Sequence, residues 1–285
     1  FKQKTAYEIR LSLVGSEMCI RDRSYINEQA WLVVNNSGKI EVIDPSTCKS
    51  VAVIKGLKSP RFACEVSPGK VYVTDLYSNT IHIIDSKNYV NSGEIKCKGW
   101  TEDLLVYKNK VWVCNHNSQF IYLIDPSTDL LTDSIEVAYG GSNLFIGKEG
   151  NIWVLCSGDN LKNKTGGIFS IDANNLKINK KWLFDNSNFN PIKLKENLGG
   201  DSLYFITNGI YKYSKNENII PSSPFISQSS SSNFYGLTIH PKSGNLFVAD
   251  ARDFVSRGRI LQYSSNGDFI KDYKAGVVPS EFMFW

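Results

Sequence analysis

The stretch Val71–Cys97, VYVTDLYSNTIHIIDSKNYVNSGEIKC, constrains the fold of this chain more than any other feature. VYVT alternates apolar and polar side chains, DLYSN interrupts it, TIHIID alternates again, SKNYV follows Asp85, and SGEIKC closes the unit. Period-two alternation bounded by Asn, Asp, Ser and Gly is the pattern of short strands joined by tight turns. Similar units start at Trp31, Val111, Ile152, Leu203 and Leu246, so successive starts lie 40, 40, 41, 51 and 43 residues apart. A further apolar strand stands ahead of these units, as PRFACEV at Pro60, TEDLLVY at Thr101, SNLFIG at Ser142 and FYGLTIH at Phe234, and PSEFMF at Pro279 is of the same type. A lone four-stranded twisted sheet cannot bury both faces, so copies must stack. At this period, with no helical signal, the solution is an all-β propeller of four-stranded blades.

The ends of the chain bear on the blade count. SYINEQ, from Ser24 to Gln29, reads as the tail of an inner strand leading into WLVV, so the first visible blade has its own inner strand. PSEFMF is then an orphan closing strand whose partners lie upstream of Ser24. Propellers close by completing one blade from both termini, so the intact protein is expected to have seven blades, six of them visible here. If SYINEQ is not a strand, PSEFMF closes on the first visible blade and the count is six. The first 23 residues read differently: back-translated, KQKTAYEI resembles a short-read flow-cell primer and LVGSEMCIRDR a transposase-type library adapter. Residues 1–23 are therefore expected to be an adapter-derived artefact outside the fold. The domain is expected to span 24–285 and to be truncated at its N-terminus, with any signal peptide or lipidation site lost.

Charge and cysteine usage exclude several function classes. Of the formal net charge of +4, residues 1–23 supply +2, and the remainder is nearly neutral. No Lys/Arg run with interleaved aromatics occurs, which argues against nucleic acid as a partner. No apolar run reaches about 18 residues, so nothing in the chain is expected to span a membrane as a helix. With Cys19 set aside among residues 1–23, Cys48, Cys64, Cys97, Cys114 and Cys156 are odd in number and lack CxxC spacing, which leaves zinc unsupported. They read as small buried apolar residues, and a Cys48–Cys97 bridge stays open. GxSxG, HExxH and paired carboxylate motifs are absent. His82 and His240 fall within strands and only His116 on a loop, so no catalytic residue is assigned.

Recurrent residues divide into scaffold and candidate rim. Asp44, Asp85, Asp125 and Asp172 each end a third strand and suit turn formation, since an Asp side chain accepts from the backbone two residues on. Trp112, Trp153, Tyr72 and Tyr204 occupy matching second-strand positions and suit the space between blades. The second-to-third strand connections emerge with the blade-to-blade crossovers on the face that rims the central channel. Their first polar positions are Asn35, Asp75, Asn115, Cys156, Thr207 and Asp250. Turn chemistry and ligand binding both fit these residues. The long connections CSGDNLKNKTGG and ADARDFVSRGR suggest walls of a binding site. Crossovers add Lys58, Arg61, Trp100, Glu102, Asp103, Tyr139, Asn143, Phe234 and Tyr235, giving a polar cup studded with aromatics. A calcium ion held by Asp75, Asn115, Asn208 and Asp250 is an alternative use of the same face.

The runs VVNNSGKIEVID, GLKSPRF, YVTDLYSNTI, IDPSTDLLTDSIEV, FYGLTIHPKSGNLFVADARDF and QYSSNGDFIKDYKAGVVPSEFMF resemble the YncE-like propellers of gut Bacteroidota. Among those, they are most similar to surface lipoproteins that capture cobalamin for a TonB-dependent outer-membrane transporter. The resemblance covers nearly all of 24–285. It implies a seven-bladed, non-enzymatic binder, lipid-anchored at the cell surface or outer membrane, with the periplasm as the alternative location. It implies cobalamin or another corrinoid as bound ligand rather than cofactor. It supports Asp75, Tyr77, Asn115, His116, Asp250, Arg252 and Asp253 as contacts, beside the rim aromatics Trp100, Tyr139 and Tyr235. The lipid-anchor Cys and first blade of that family are missing here, so contacts from that blade do not carry over. A propeller hydrolase or lactonase with a metal at the channel mouth, and a protein-interaction or adhesion propeller, are the competing functions.

Overall fold

In the computed structural model, which describes residues 20–185, 189–218, 221–282 and 284, every repeat forms a four-stranded antiparallel sheet with its strands in chain order. The first sheet holds β1 (Ile20–Ile26), β2 (Gln29–Val34), β3 (Lys39–Asp44) and β4 (Lys49–Ile54). The second holds β5 (Pro60–Ser67), β6 (Lys70–Asp75), β7 (Thr80–Asp85) and β8 (Val90–Lys96). The third holds β9 (Thr101–Tyr107), β10 (Lys110–Asn115), β11 (Phe120–Asp125) and β12 (Leu130–Glu136). The fourth holds β13 (Gly141–Ile146), β14 (Ile152–Cys156), β15 (Gly167–Ile171) and β16 (Ile178–Leu183). These four blades make up one compact unit, Ile20–Pro191. A second unit, from Ile192 onward, carries two more. Its blades are β17 (Ile192–Glu196), β18 (Ser202–Ile206), β19 (Gly209–Ser214) with β20 (Ile226–Ser227), then β21 (Phe234–Ile239), β22 (Leu246–Asp250), β23 (Arg257–Tyr263) and β24 (Phe269–Val277).

Burial grades across each blade. The second strands are buried on both faces, as Val71–Asp75 in β6 and Ile152–Cys156 in β14 show, whereas outer strands such as β12 are almost wholly exposed. The apparent alternation of VYVT is thus misleading, because Tyr72 and Thr74 are as buried as the valines. A strand covered on both sides reads as a continuous apolar run. The large second-strand rings fill the gaps between neighbouring blades. Trp31 clusters with Val71, Val73 and Ile84, Tyr72 with Val111 and Val113, and Trp112 with Ile152 and Val154. In the second unit Tyr204 does the same against Leu246 and Val248. Interior packing of this density makes each such ring worth several kcal/mol, about 3–5 for removal of a buried Trp.

The recurrent aspartates form turns as expected. The carboxylates of Asp44, Asp85, Asp125 and Asp172 accept from the backbone N–H two residues on, at 2.7, 2.8, 2.8 and 2.7 Å. A second repeated device bears on function. The ladder between first and second strand slips near the end where the first strand enters, at Pro60/Ala63, Val113/Asn115, Gly141/Asn143 and Phe234/Gly236 among others. Such a bulge bends the strand. Here it brings the crossover back against the last residue of the second strand, as in the pairs Pro60↔Asp75, Thr101↔Asn115 and Phe234↔Asp250.

Two terminal expectations need correction. The inner strand placed at SYINEQ is β1, but it runs Ile20–Ile26 and so begins inside the adapter-like stretch, leaving Asn27 and Glu28 to the turn. The reason is the ladder: β2 offers partners back to Val34, and whatever precedes Ser24 occupies them. PSEFMF is not a strand: Pro279–Phe282 has no ladder, and Met283 lies outside the described residues. It packs through side chains and close backbone contact instead. A Cβ on Gly236 would meet the Ser280 carbonyl oxygen at 2.3 Å, and the rings of Phe282 and Phe284 lie 6.5 and 5.8 Å from Phe247. Cys48 and Cys97 are both buried free thiols, so the bridge between them is absent.

Candidate functional site

The last residue of a second strand acts as a clamp in three blades. In blade two, the Asp75 carboxylate accepts from Lys58 N at 2.9 Å, Ser59 N at 3.1 Å and Tyr77 N at 3.1 Å. It also lies 3.3 Å from His82 Nε2. In blade three, Asn115 Oδ1 accepts from Trp100 N at 3.2 Å and Asn117 N at 3.0 Å, while its Nδ2 donates to Lys98 O at 2.7 Å. In blade six, Asp250 Oδ1 accepts from Asn233 N at 2.8 Å and Arg252 N at 3.0 Å, and Oδ2 accepts from Arg259 Nε at 2.9 Å. Each clamp joins its own following turn to the preceding crossover.

Sequence reasoning put Asp75, Asn115 and Asp250 among the ligand contacts, and the structure places each at the strand end where crossover and turn meet. All three are fully buried, and their polar atoms are engaged by backbone groups and, for Asp75 and Asp250, also by the His82 and Arg259 side chains. Burial by itself would raise the Asp75 carboxyl, but hydrogen bonds from His82 and from the Ser59, Lys58 and Tyr77 amides outweigh it and hold the group below the ordinary carboxylate value. Asp250 behaves alike: burial opposes ionisation, and the Asn233 and Arg252 amides with Arg259 more than compensate. Asp253 is exposed, yet its carboxylate accepts from Val255 N at 3.0 Å and from Ser256 N and Oγ at 2.6 and 2.8 Å, which lowers it to about 2. It shapes a turn.

What the clamps present is aromatic. In the first unit Tyr77 is 59% exposed and Trp100 38%, and their rings meet edge to face at 5.6 Å and 88°. Reciprocal bonds between Asp75 and Thr101, N–H to Oγ1 at 3.1 Å and Oγ1–H to O at 3.2 Å, lock the two blades beside this pair. Gly99 reaches φ +107°, and a Cβ there would strike the Asn115 amide at 2.4 Å, so only glycine lets the crossover approach. His116 is half-buried on the same loop, its N–H donating to Trp100 O at 2.7 Å. Tyr139 is half-buried and donates to Asn117 Oδ1 at 2.6 Å. The Lys162 ammonium of the long 156–167 connection reaches both Asn117 and Tyr139 and lies 4.9 Å over the tyrosine ring. In the second unit Tyr235 is half-buried and meets exposed Phe254 edge to face at 5.5 Å, with exposed Arg252 two residues before the phenylalanine.

Thr101, Asn117, Lys162, Phe254 and Arg259 escaped the sequence reading. Arg259 faces Asp250 directly across the β22–β23 ladder, so hairpin register would have found it. Lys162 pairs locally with Asp159 at 3.1 Å, but its contacts to Tyr139 and Asn117 span 23 and 45 residues, which the local sequence does not mark. Of the four residues offered for a channel-mouth cation, Asp75, Asn115 and Asp250 are hydrogen-bonded as described, and Asn208 Oδ1 accepts from Thr207 Oγ1 at 2.9 Å and Tyr211 OH at 3.1 Å. Among the described residues no group of three or more His, Cys, Asp or Glu is arranged to hold a metal ion.

Six four-stranded antiparallel blades with almost no helix define a β-propeller. The chain belongs to the family described as Domain of unknown function (DUF5074), whose model matches residues 15–284. A search of the curated proteins finds no match. Among solved structures, it is similar to a quinonprotein alcohol dehydrogenase-like protein from Bacteroides thetaiotaomicron, at 18% identity and TM-score 0.73 over 94% of this chain and 69% of that one. It is also similar to Kuenenia stuttgartiensis hydrazine synthase, at 13% identity and TM-score 0.66 over 89% and 85%. A third neighbour is the dihydro-heme d1 dehydrogenase NirN in complex with DHE, at 15% identity and TM-score 0.61 over 96% and 60%. At these identities the likeness is one of fold.

Proposed function

We propose that this chain is a non-enzymatic ligand-binding propeller that captures a corrinoid, with cobalamin favoured, on the face carrying Tyr77 and Trp100. The observation that carries the reading is that exposed edge-to-face pair, fixed from beneath by the buried Asp75 and Asn115 clamps. Large exposed rings held in one geometry contribute apolar contact with little ordering cost on binding. A corrinoid offers a flat macrocycle edged with amides, so the rings cover its apolar parts while half-buried His116 and Tyr139 supply polar contacts. The sequence resemblance supports the setting: a seven-bladed parent protein, lipid-anchored at the cell surface, passing ligand to a TonB-dependent outer-membrane transporter.

The test is calorimetric titration of cyanocobalamin into the full-length protein, with heme as the comparison ligand. Saturable heat is expected, with affinity falling about tenfold or more for Trp100→Ala and for Tyr77→Ala, the loss of one large apolar contact each. Absence of heat and of any melting shift would remove cobalamin as the ligand.

A further inference from the structure

Each ring of the Tyr77–Trp100 pair is tied to a lysine by the same clamp that fixes it. Asp75 holds Tyr77 N and, from the preceding crossover, Lys58 N. Asn115 holds Trp100 N and, two residues earlier, Lys98 O. Lys58 and Lys98 therefore flank the aromatic pair at fixed backbone positions. Both are exposed, and neither ammonium pairs with a carboxylate among the described residues.

The acidic groups of these crossovers are all spent internally. Asp75 serves the backbone. Glu102, nearly buried, takes the Arg61 guanidinium through Nε at 2.6 Å and through Nη2. Asp103 accepts from Asn143 Nδ2 at 2.7 Å and Leu144 N at 2.8 Å. Lys58 and Lys98 are thus exposed cations in the two crossovers whose backbone the clamps hold next to the ring-bearing residues. Clefts with one sign of uncompensated charge next to apolar walls favour ligands of the opposite sign.

We propose that the ligand seated on Tyr77 and Trp100 is amphipathic and anionic, with a flat apolar face against the rings and a phosphate or carboxylate received by Lys58 and Lys98. This rests on the corrinoid-capture reading only for the position of the ligand. The nucleotide phosphodiester of cobalamin and the propionates of heme are two sources of the required anion.

Four probes separate the possibilities: cyanocobalamin, cobinamide lacking the nucleotide phosphodiester, heme, and heme dimethyl ester. Each is titrated calorimetrically into the full-length protein and its Lys58→Gln and Lys98→Gln variants, at low and high salt. The member of each pair that carries the phosphodiester or free propionates is expected to bind more tightly than the one that lacks them. Its affinity is expected to fall with salt, by roughly two- to fivefold for each lysine removed. Cyanocobalamin failing while heme binds in this manner would overturn the corrinoid reading and leave the anionic class standing. Binding of any probe that is indifferent to salt, to esterification and to both lysines would overturn the inference, as would no binding by all four. Both lysines are exposed, so unchanged circular dichroism of the variants checks that a weakened interaction is not unfolding.

Discussion

Replacing Asp75 by Asn tests whether the clamp is a buried scaffold element. The volume is kept, but one acceptor oxygen becomes an NH2 donor. With the amide oxygen in the Oδ2 position, Tyr77 N loses its acceptor; with it in the Oδ1 position, Lys58 N does. Either way a backbone donor is left facing another donor in a site of zero exposure. An orphaned buried group costs about 1–3 kcal/mol, and loss of the charge weakens each surviving bond by about 1 kcal/mol. The expected loss is about 3 kcal/mol, a melting decrease of roughly 6–12 °C for a chain of this size. Asp85→Asn is the control, because Asp85 also accepts from two backbone amides and a side chain, Lys87 N, Asn88 N and Asn88 Nδ2, but in solvent. Water replaces what is lost there, so a decrease under about 3 °C is expected. The same variant carries a pH signature. Because the folded Asp75 carboxyl lies below its ordinary value, its stabilisation is present above that value and is lost as pH falls through the folded one. Wild-type protein should therefore lose more stability than Asp75→Asn between pH 5 and strong acid, on the order of the shift of one carboxylate. Thermal melts of the three proteins followed by near-ultraviolet circular dichroism decide it. Equal shifts for Asp75→Asn and Asp85→Asn, or a clamp variant within 2 °C of wild type, would refute the argument from burial.

Gly99→Ala places a Cβ 2.4 Å from the Asn115 amide at φ +107°, so a loss of about 2–3 kcal/mol and an altered Trp100 near-ultraviolet signal are expected; an unchanged melt would show that the crossover yields freely. Arg61→Ala strands the Glu102 carboxylate, whose side chain is 3% exposed, and should cost about 3–5 kcal/mol by urea unfolding, whereas the double variant Arg61→Met/Glu102→Leu should recover most of it. Burial pushes the Cys97 thiol up from 9.0 to about 12 and the Cys64 thiol to about 11. The folded chain then keeps protons that the unfolded chain releases, so stability should fall as pH rises from about 9 toward 12. Iodoacetamide at pH 8 should leave Cys64, Cys97, Cys114 and Cys156 unlabelled until urea is added, as read by peptide mapping.

Much of this architecture was legible because it is written in short-range chemistry. An Asp followed by PST or SKN forms its turn from atoms two or three residues apart, and Asp44, Asp85 and Asp125 do so. The rings at Tyr72 and Trp112 announced inter-blade packing because a repeated large flat side chain in a buried strand has one economical place to go, whereas Trp153 stacks on Phe145 and Trp182 of its own blade. Reading the rim was harder. Asp75, Asn115 and Asp250 stood at the right face, but residue type alone does not tell an acceptor offered to a ligand from one consumed by the backbone. PSEFMF read as a strand on composition, yet a strand exists only where a ladder partner does.

The sequence by itself determined the strands, their grouping in fours, the turn carboxylates and the rings between blades, since all of these follow from period, turn chemistry and side-chain volume within one repeat. Tertiary structure alone decided which polar residues are spent and which surfaces remain. The bonds that fix Tyr77 against Trp100 join residues 15 to 26 positions apart and depend on a bulge that turns each crossover back onto the preceding strand end. A one-residue change in that register would redirect the same side chains, and for that physical reason the clamp and the aromatic pair above it are properties of the folded chain.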